Sequence, residues 1–343
     1  MKKIFTKIKE TKIWYFLIKV FFIPIFNFLW EFIINCHGKY LYFQWKRKNN
    51  EYQNMFGNNT LLIKSDSQIK AISQEINSIF DDDLCKKLEK KIIEQKKKFT
   101  GHYTESKELY NISCSDELPL SLRKKIIDFA LSDKNISTAM NHLKTFPILS
   151  IVNVYYNMAR EGAVERGSML WHKDDFGYRS LDFFIPATIV DDNNGPLYFV
   201  KNKNELGVFL KYKNIIKNPK KGERNKINLD DFLKYHSQEE VDCLKGELGS
   251  ALIIDSFNTY HRGGYCKNKH RVMLRLSYQT PDSLHAQSLE KNISTKLLEE
   301  YIAKYKFDKF RKYMLCKKLS LIPRAINLNL LLLKFYQLAH FKK

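Results

Sequence analysis

A mainly β core flanked by helices, built as a sandwich or barrel, is the fold class that this sequence predicts. Two observations point to it. Between residues 147 and 280 the chain offers five short β-branched or aromatic runs, PILSIVNVYY, LDFFIPATIV, GPLYFV, SALIID and RVMLRLSY. Turn signals separate them: DDNNGP, GELGS and HRGG. Several short strands divided by turns fit two packed sheets or a closed one better than a parallel α/β sheet.

The elements follow in chain order. Residues 1–12 are basic, and residues 13–35 read IWYFLIKVFFIPIFNFLWEFIIN, near the length that spans a bilayer. Lys19, Pro24 and Glu31 interrupt that run, and no small-residue cleavage site follows it. A membrane-associated segment and a helical hairpin packed on the protein compete for residues 1–49, with a cleaved targeting peptide a poor third. Residues 50–147 are predicted to form a helical scaffold. Within it, 81–98 (DDDLCKKLEKKIIEQKKK) starts acidic and ends basic, as a helix dipole prefers, and 120–131 is amphipathic. The β core spans 148–281, with a Lys- and Asn-rich insertion at about 203–243. Residues 282–343 form a basic helical extension that includes the apolar stretch LSLIPRAINLNLLLLKFYQLAH.

Charge and cysteines narrow the setting. Lys and Arg total 58 against 37 Asp and Glu, a formal net charge of +21 that favours an anionic partner such as a phosphorylated substrate or an anionic membrane surface. A lysine-rich composition with no such partner is the plain alternative. No compact basic run with interleaved aromatics resembles a nucleic-acid groove, which argues against that partner. The six cysteines form no CxxC pair, so a reduced, cytoplasmic setting is expected, with the apolar ends allowing peripheral contact with a membrane.

The chemistry centres on WHKDDFG at 171–177. On a strand His172 and Asp174 point to one face, so an imidazole and a carboxylate converge. His261, which follows the apolar strand SALIID, completes a two-His, one-carboxylate set of the kind non-haem iron sites use. His-x-Asp alone is a common pattern. What strengthens it is RVMLRLSY, where Val272, Leu274, Leu276 and Tyr278 alternate with Arg271, Met273, Arg275 and Ser277. One face packs, and the other turns two guanidiniums inward, where they require an anion. A dicarboxylate co-substrate matches a guanidinium fork. Tyr155 and Asn157, on the strand before the motif, are candidates to hydrogen-bond it, although core positions explain them as well. Trp171 reads as a packed aromatic, Asp175 either as an orienting acceptor or a solvated charge, and His270 and His285 as incidental.

From about 149 to 280 the chain resembles the phytanoyl-CoA dioxygenase family. The matching elements are Trp171-His172-x-Asp174-Asp175, LDFFIPATIVDD, the turn Asn194-Gly195-Pro196 leading into LYFV, GELGSALIIDSFNTYHRGG and KHRVMLRLSYQT. The resemblance implies a double-stranded β-helix (jelly roll), iron(II), and 2-oxoglutarate and O2 as co-substrates. It implies iron ligation by His172, Asp174 and His261, with Arg271 on the far carboxylate of 2-oxoglutarate and Arg275 as a second candidate. The chain departs from the family at VKNKNEL, where relatives often carry a Pro-Gly-Ser-His-like turn. The expected reaction is hydroxylation of a small-molecule or lipid-linked substrate, such as a lipid, an acyl group on a carrier or a lipid-linked glycan, with release of succinate and CO2. Asp174 favours hydroxylation over halogenation, because related halogenases lack that carboxylate. Two alternatives keep the fold: a catalytically inactive binding module, and a zinc hydrolase using the same three side chains.

Overall fold

The computed structural model describes residues 23–49, 60–98, 111–162, 167–174, 179–201, 227, 232–234, 236–281 and 293–315. Nine strands fall into two antiparallel sheets. They are β1 (Thr60–Ile63), β2 (Asn111–Ser113), β3 (Ile148–Asn157), β4 (Ser180–Pro186), β5 (Leu197–Val200), β6 (Val241–Leu244), β7 (Ala251–Ile254), β8 (His261–Gly263) and β9 (Arg271–Gln279). The larger sheet runs β1-β7-β4-β9-β3-β2 and the smaller β6-β5-β8. A bridge pairing His172 with His261 adds the 171–172 segment beside β8. Counted along the chain from β3, the first, eighth, third and sixth segments thus lie together, and the second, seventh, fourth and fifth lie opposite. That order is a jelly roll, and it brings His172 and His261 side by side although 88 residues separate them in sequence.

Strand alternation decides what each face does. Val272, Leu274, Leu276 and Tyr278 of β9 are buried on the outer face, with Leu181, Phe183 and Ile185 of β4 and Val152, Val154 and Tyr156 of β3. Helices cover this face: α1 (Ile23–Lys48), α2 (Ser67–Asn77), α3 (Asp82–Lys98), α4 (Leu120–Ala130), α5 (Asp133–Leu143), α6 (Thr295–Lys304) and α7 (Lys309–Leu315). Local signals place them. Asp66 caps α2 by accepting from the Gln68 and Ile69 amides at 2.9 and 3.0 Å. Lys144 closes α5 in the left-handed region at φ 57°. The Tyr278 hydroxyl donates to the Ala130 carbonyl at 2.7 Å and pins α4 to the sheet. The inner faces of the two sheets meet through Leu252, Ile254 and Met273 on one side and Leu197, Phe199 and Leu244 on the other.

The helices predicted at 81–98 and 120–131 are observed at 82–98 and 120–130. Four short strands, β1, β2, β6 and β8, give no sequence signal of their own. β6 takes up the last residues of the stretch read as an insertion. Pro24 lies in the first turn of α1, where a missing amide costs nothing, and α1 runs unbroken for 26 residues. Among the described residues no helix is long and apolar enough to cross a membrane. Residues 13–22, Asp175, most of 203–240, His285, Cys316 and the apolar stretch at 319–340 lie outside the described residues.

Candidate metal centre

The His172, Asp174 and His261 side chains meet at one point between the sheets, with a ligand atom from each within 4.8 Å of the others. His172 Nε2 is 3.7 Å and His261 Nε2 3.9 Å from Asp174 Oδ1. Each imidazole is aimed by backbone. His172 Nδ1 lies 2.7 Å from the Leu170 carbonyl, and His261 Nδ1 lies 3.0 Å from the Thr259 carbonyl. A carbonyl only accepts, so each Nδ1 carries the hydrogen and each Nε2 presents its lone pair to the centre. Ligand atoms about 2.0–2.2 Å from a metal at right angles stand roughly 3 Å apart. Closing the two gaps to Asp174 therefore takes less than about 1 Å, and the widest spacing in the group, within 4.8 Å, less than about 2 Å. The residues fit a divalent metal.

Asp174 is held from both ends. Its amide donates to the Ser256 carbonyl at 2.9 Å. Arg275 Nη2 donates to Asp174 Oδ2 at 3.0 Å, which leaves Oδ1 facing the histidines. Arg275 Nε donates to Asp182 Oδ1 at 3.0 Å, and Asp182, fully buried, also accepts from Ser180 and Ser256. Burial by itself pushes the Asp174 carboxyl up. His261, Arg275 and His172 outweigh it and hold that carboxyl below the ordinary carboxylate range. The turn supplying Ser256 is fastened in turn by Asp255, which accepts from His142 Nε2 at 2.6 Å and from Asn258 Nδ2 at 2.8 Å.

The two inward arginines differ. Arg275 is clasped by two carboxylates. Arg271 is 6 % exposed, and its Nε and Nη1 have no hydrogen-bond partner among the described residues. Its guanidinium lies beside β8. A Cβ placed on Gly263 would sit 3.9 Å from Arg271 Nη2, in ordinary contact with it. His261 and Gly263 share the inner face of β8, because they are two residues apart on a strand. The metal ligand His261 and the glycine beside the Arg271 guanidinium therefore lie on one face of β8.

The other predicted residues divide between the two faces. Tyr155 pairs in register with Met273, and Asn157 with Arg271, on the inner face of β3. Trp171 points to the outer side of the smaller sheet and stacks on Phe232 with ring centroids 4.0 Å apart. His270 lies on the outer face against Tyr156, 5.3 Å between centroids, away from the centre. Asp182, Ser256 and Gly263 went unread in the sequence. A carboxylate inside the apolar run LDFFIPATIV was the one available signal for Asp182.

The Asn194-Gly195-Pro196 turn has a packing reason. Gly195 sits at φ +69°, and a Cβ there would come within 2.5 Å of the Gly264 carbonyl oxygen. Two glycines let the turn before β5 cross the chain just beyond β8, which keeps His261 and Gly263 in register with Phe199 and Leu197.

No protein-family profile matches the chain, and no curated protein matches it. Solved structures do resemble it at low identity. The nickel complex of the non-heme monooxygenase ThoJ is 10% identical, covering 76% of this chain and 97% of that one at a TM-score of 0.41. EctD from S. alaskensis in its apoform is 14% identical, covering 73% and 80% at 0.38. EvdO2 from Micromonospora carbonacea var. aurantiaca, complexed with 2-oxoglutarate, is 15% identical, covering 50% and 66% at 0.31. Likenesses at such TM-scores say nothing about the chemistry, which is read from the side chains of the centre.

Proposed function

We propose that this chain is an iron(II)- and 2-oxoglutarate-dependent oxygenase of the phytanoyl-CoA dioxygenase-like kind that hydroxylates its substrate. The observation that carries the reading is the pairing of a His/Asp/His group with a buried guanidinium whose Nε and Nη1 have no hydrogen-bond partner among the described residues. A buried cation without an anion is costly, and a dicarboxylate removes that cost. A zinc hydrolase or an inactive binding module has no use for it.

His172 and His261 would bind the metal through Nε2 and Asp174 through Oδ1, while Arg275 occupies Oδ2. Arg271 would grip the far carboxylate of 2-oxoglutarate by charge-assisted hydrogen bonds. Tyr155 and Asn157, in register with Met273 and Arg271, would hydrogen-bond the co-substrate. Met273, Leu197 and Phe199 wall the inner space with hydrocarbon and keep bulk water from it. When bound, the iron would activate O2, the oxidant: one oxygen atom would enter succinate as the keto acid loses CO2, and the other would enter the substrate as its new hydroxyl. The substrate class we favour is a lipid, carrier-bound acyl group or lipid-linked glycan, a preference supported by the +21 charge and the apolar ends of the chain.

The test is anaerobic titration with Fe(II) and then 2-oxoglutarate. Wild type should develop the visible charge-transfer band of a keto acid on iron. Arg271→Leu should keep Fe(II) affinity yet weaken 2-oxoglutarate about 100-fold or more, as expected for two lost charge-assisted bonds at about 1.5–3 kcal/mol each. Absence of the band in wild type, or an unchanged 2-oxoglutarate affinity in Arg271→Leu, would overturn the reading.

A further inference from the structure

We propose that the outward stripe of α1 is a docking surface for an anionic lipid membrane. An ordinary surface helix carries one apolar stripe. α1 carries two. Ile34, Leu41 and Trp45 are buried, at 0, 2 and 3 % exposure, and Trp45 Nε1 donates to Ser137 Oγ at 3.0 Å. Gly38 continues that inner stripe; a Cβ there would meet Thr145 Oγ1 at 2.6 Å. This side alone seats the helix.

On the opposite side Leu29, Phe32, Ile33, Tyr40 and Phe43 are 51, 60, 51, 55 and 61 % exposed. With Cys36, also exposed, they recur every three or four residues. At about 1.5 Å per residue they form a band roughly 20 Å long. Nothing among the described residues covers it, and a run of exposed large apolar side chains marks an interaction surface.

The charge around the band selects the occupant. α1 holds Glu31 as its single acidic residue against Lys39, Lys46, Arg47 and Lys48. Lys309 of α7 adds a further cation from the side, its Nζ 5.9 Å over the Tyr40 ring. Apolar side chains bordered by Lys and Arg suit the interface of a bilayer, where rings enter the acyl boundary and cations meet phosphate. A second copy of this chain would bring another +21 charge to the contact. The chain's own segment 316–343 contains the apolar stretch 319–340 and is the competing occupant, which its deletion tests.

The experiment is flotation of the full chain with vesicles of phosphatidylcholine alone or mixed with phosphatidylglycerol. Wild type should float with the mixed vesicles, less so as salt rises, and poorly with phosphatidylcholine. Phe32→Ser/Tyr40→Ser/Phe43→Ser and Lys39→Glu/Lys46→Glu/Arg47→Glu should each lower partitioning about tenfold or more, in line with about 1 kcal/mol per cation. The aromatic variant should keep the wild-type melting temperature, because its side chains face outward; the charge variant places carboxylates in the last turn of α1, so a small drop is expected there. Flotation of the aromatic variant equal to wild type would overturn the proposal. So would a wild-type dimer in light scattering that the aromatic variant breaks, or vesicle binding that disappears with 316–343 deleted while the stripe is intact.

Discussion

The two faces of the larger sheet are built to different ends, and β9 shows both in nine residues. Outward, Val272, Leu274, Leu276 and Tyr278 meet helices in continuous hydrocarbon. Inward, Arg271, Met273, Arg275 and Ser277 meet carboxylates, open space and the opposite sheet. One backbone thus separates stability from chemistry by alternation alone. The outer face is hydrocarbon, whereas the inner face buries a guanidinium, Arg271, whose Nε and Nη1 have no hydrogen-bond partner among the described residues.

That contrast makes distinct outcomes for substitutions only one or two positions apart. The largest effect on folding belongs to Leu274→Ala, which leaves a cavity under the helices. It should cost about 2–5 kcal/mol in denaturant unfolding while leaving the Fe(II) affinity of the folded protein unchanged. An equal loss of metal affinity would break the separation. One position further, Arg275→Gln should lower Fe(II) affinity about 10- to 100-fold by calorimetry, because Asp174 Oδ2 loses its donor. It should also destabilise, since Asp182 is left buried without its cation. Gly263→Ala sharpens the picture. Its Cβ would make only ordinary contacts, at 3.7 Å to the Ser168 carbonyl oxygen and 3.9 Å to Arg271 Nη2. Metal affinity and melting temperature should hold while 2-oxoglutarate weakens, by more for Gly263→Val than for Gly263→Ala.

The smallest effect concerns pH. Burial pushes the Asp255 carboxyl up, but the hydrogen bonds from His142 and Asn258 bring it below its ordinary value. A lowered folded value means the stabilisation is fully present above the unfolded value, about 3.9, and is lost as pH falls through the folded one. Below about pH 4 the wild type should therefore lose stability more steeply than Asp255→Asn, by up to one proton in the slope of unfolding free energy against pH.

Much of this was legible in the sequence, for a physical reason. Period-two alternation is local, so β9 could be read with its inward arginines, and His172 and Asp174 could be assigned to one side. The amphipathic helices of the scaffold are local patterns too. What escaped depends on pairing across distance. Arg275 gave no hint that Asp174 and Asp182, roughly a hundred residues upstream, would clasp it; as a bare guanidinium it read as a second hand for the co-substrate. β8 is three residues long and is held by its neighbours, so no window over it alone carries a strand signal. Trp171 reads as a packed aromatic and is one; only its stacking partner Phe232, in a stretch with no periodicity, could not be named.

Each ligating imidazole leans on the carbonyl two residues before it, Leu170 for one and Thr259 for the other. The same short device occurs twice, on segments from opposite ends of the core. Ring orientation is thereby inherited from the path of the main chain and does not wait for an ion to impose it. An arriving ion would find two lone pairs already aimed, with all three side chains left to draw in by small movements. Loading is then a local adjustment of side chains, and the emptied protein should keep the shape of the filled one.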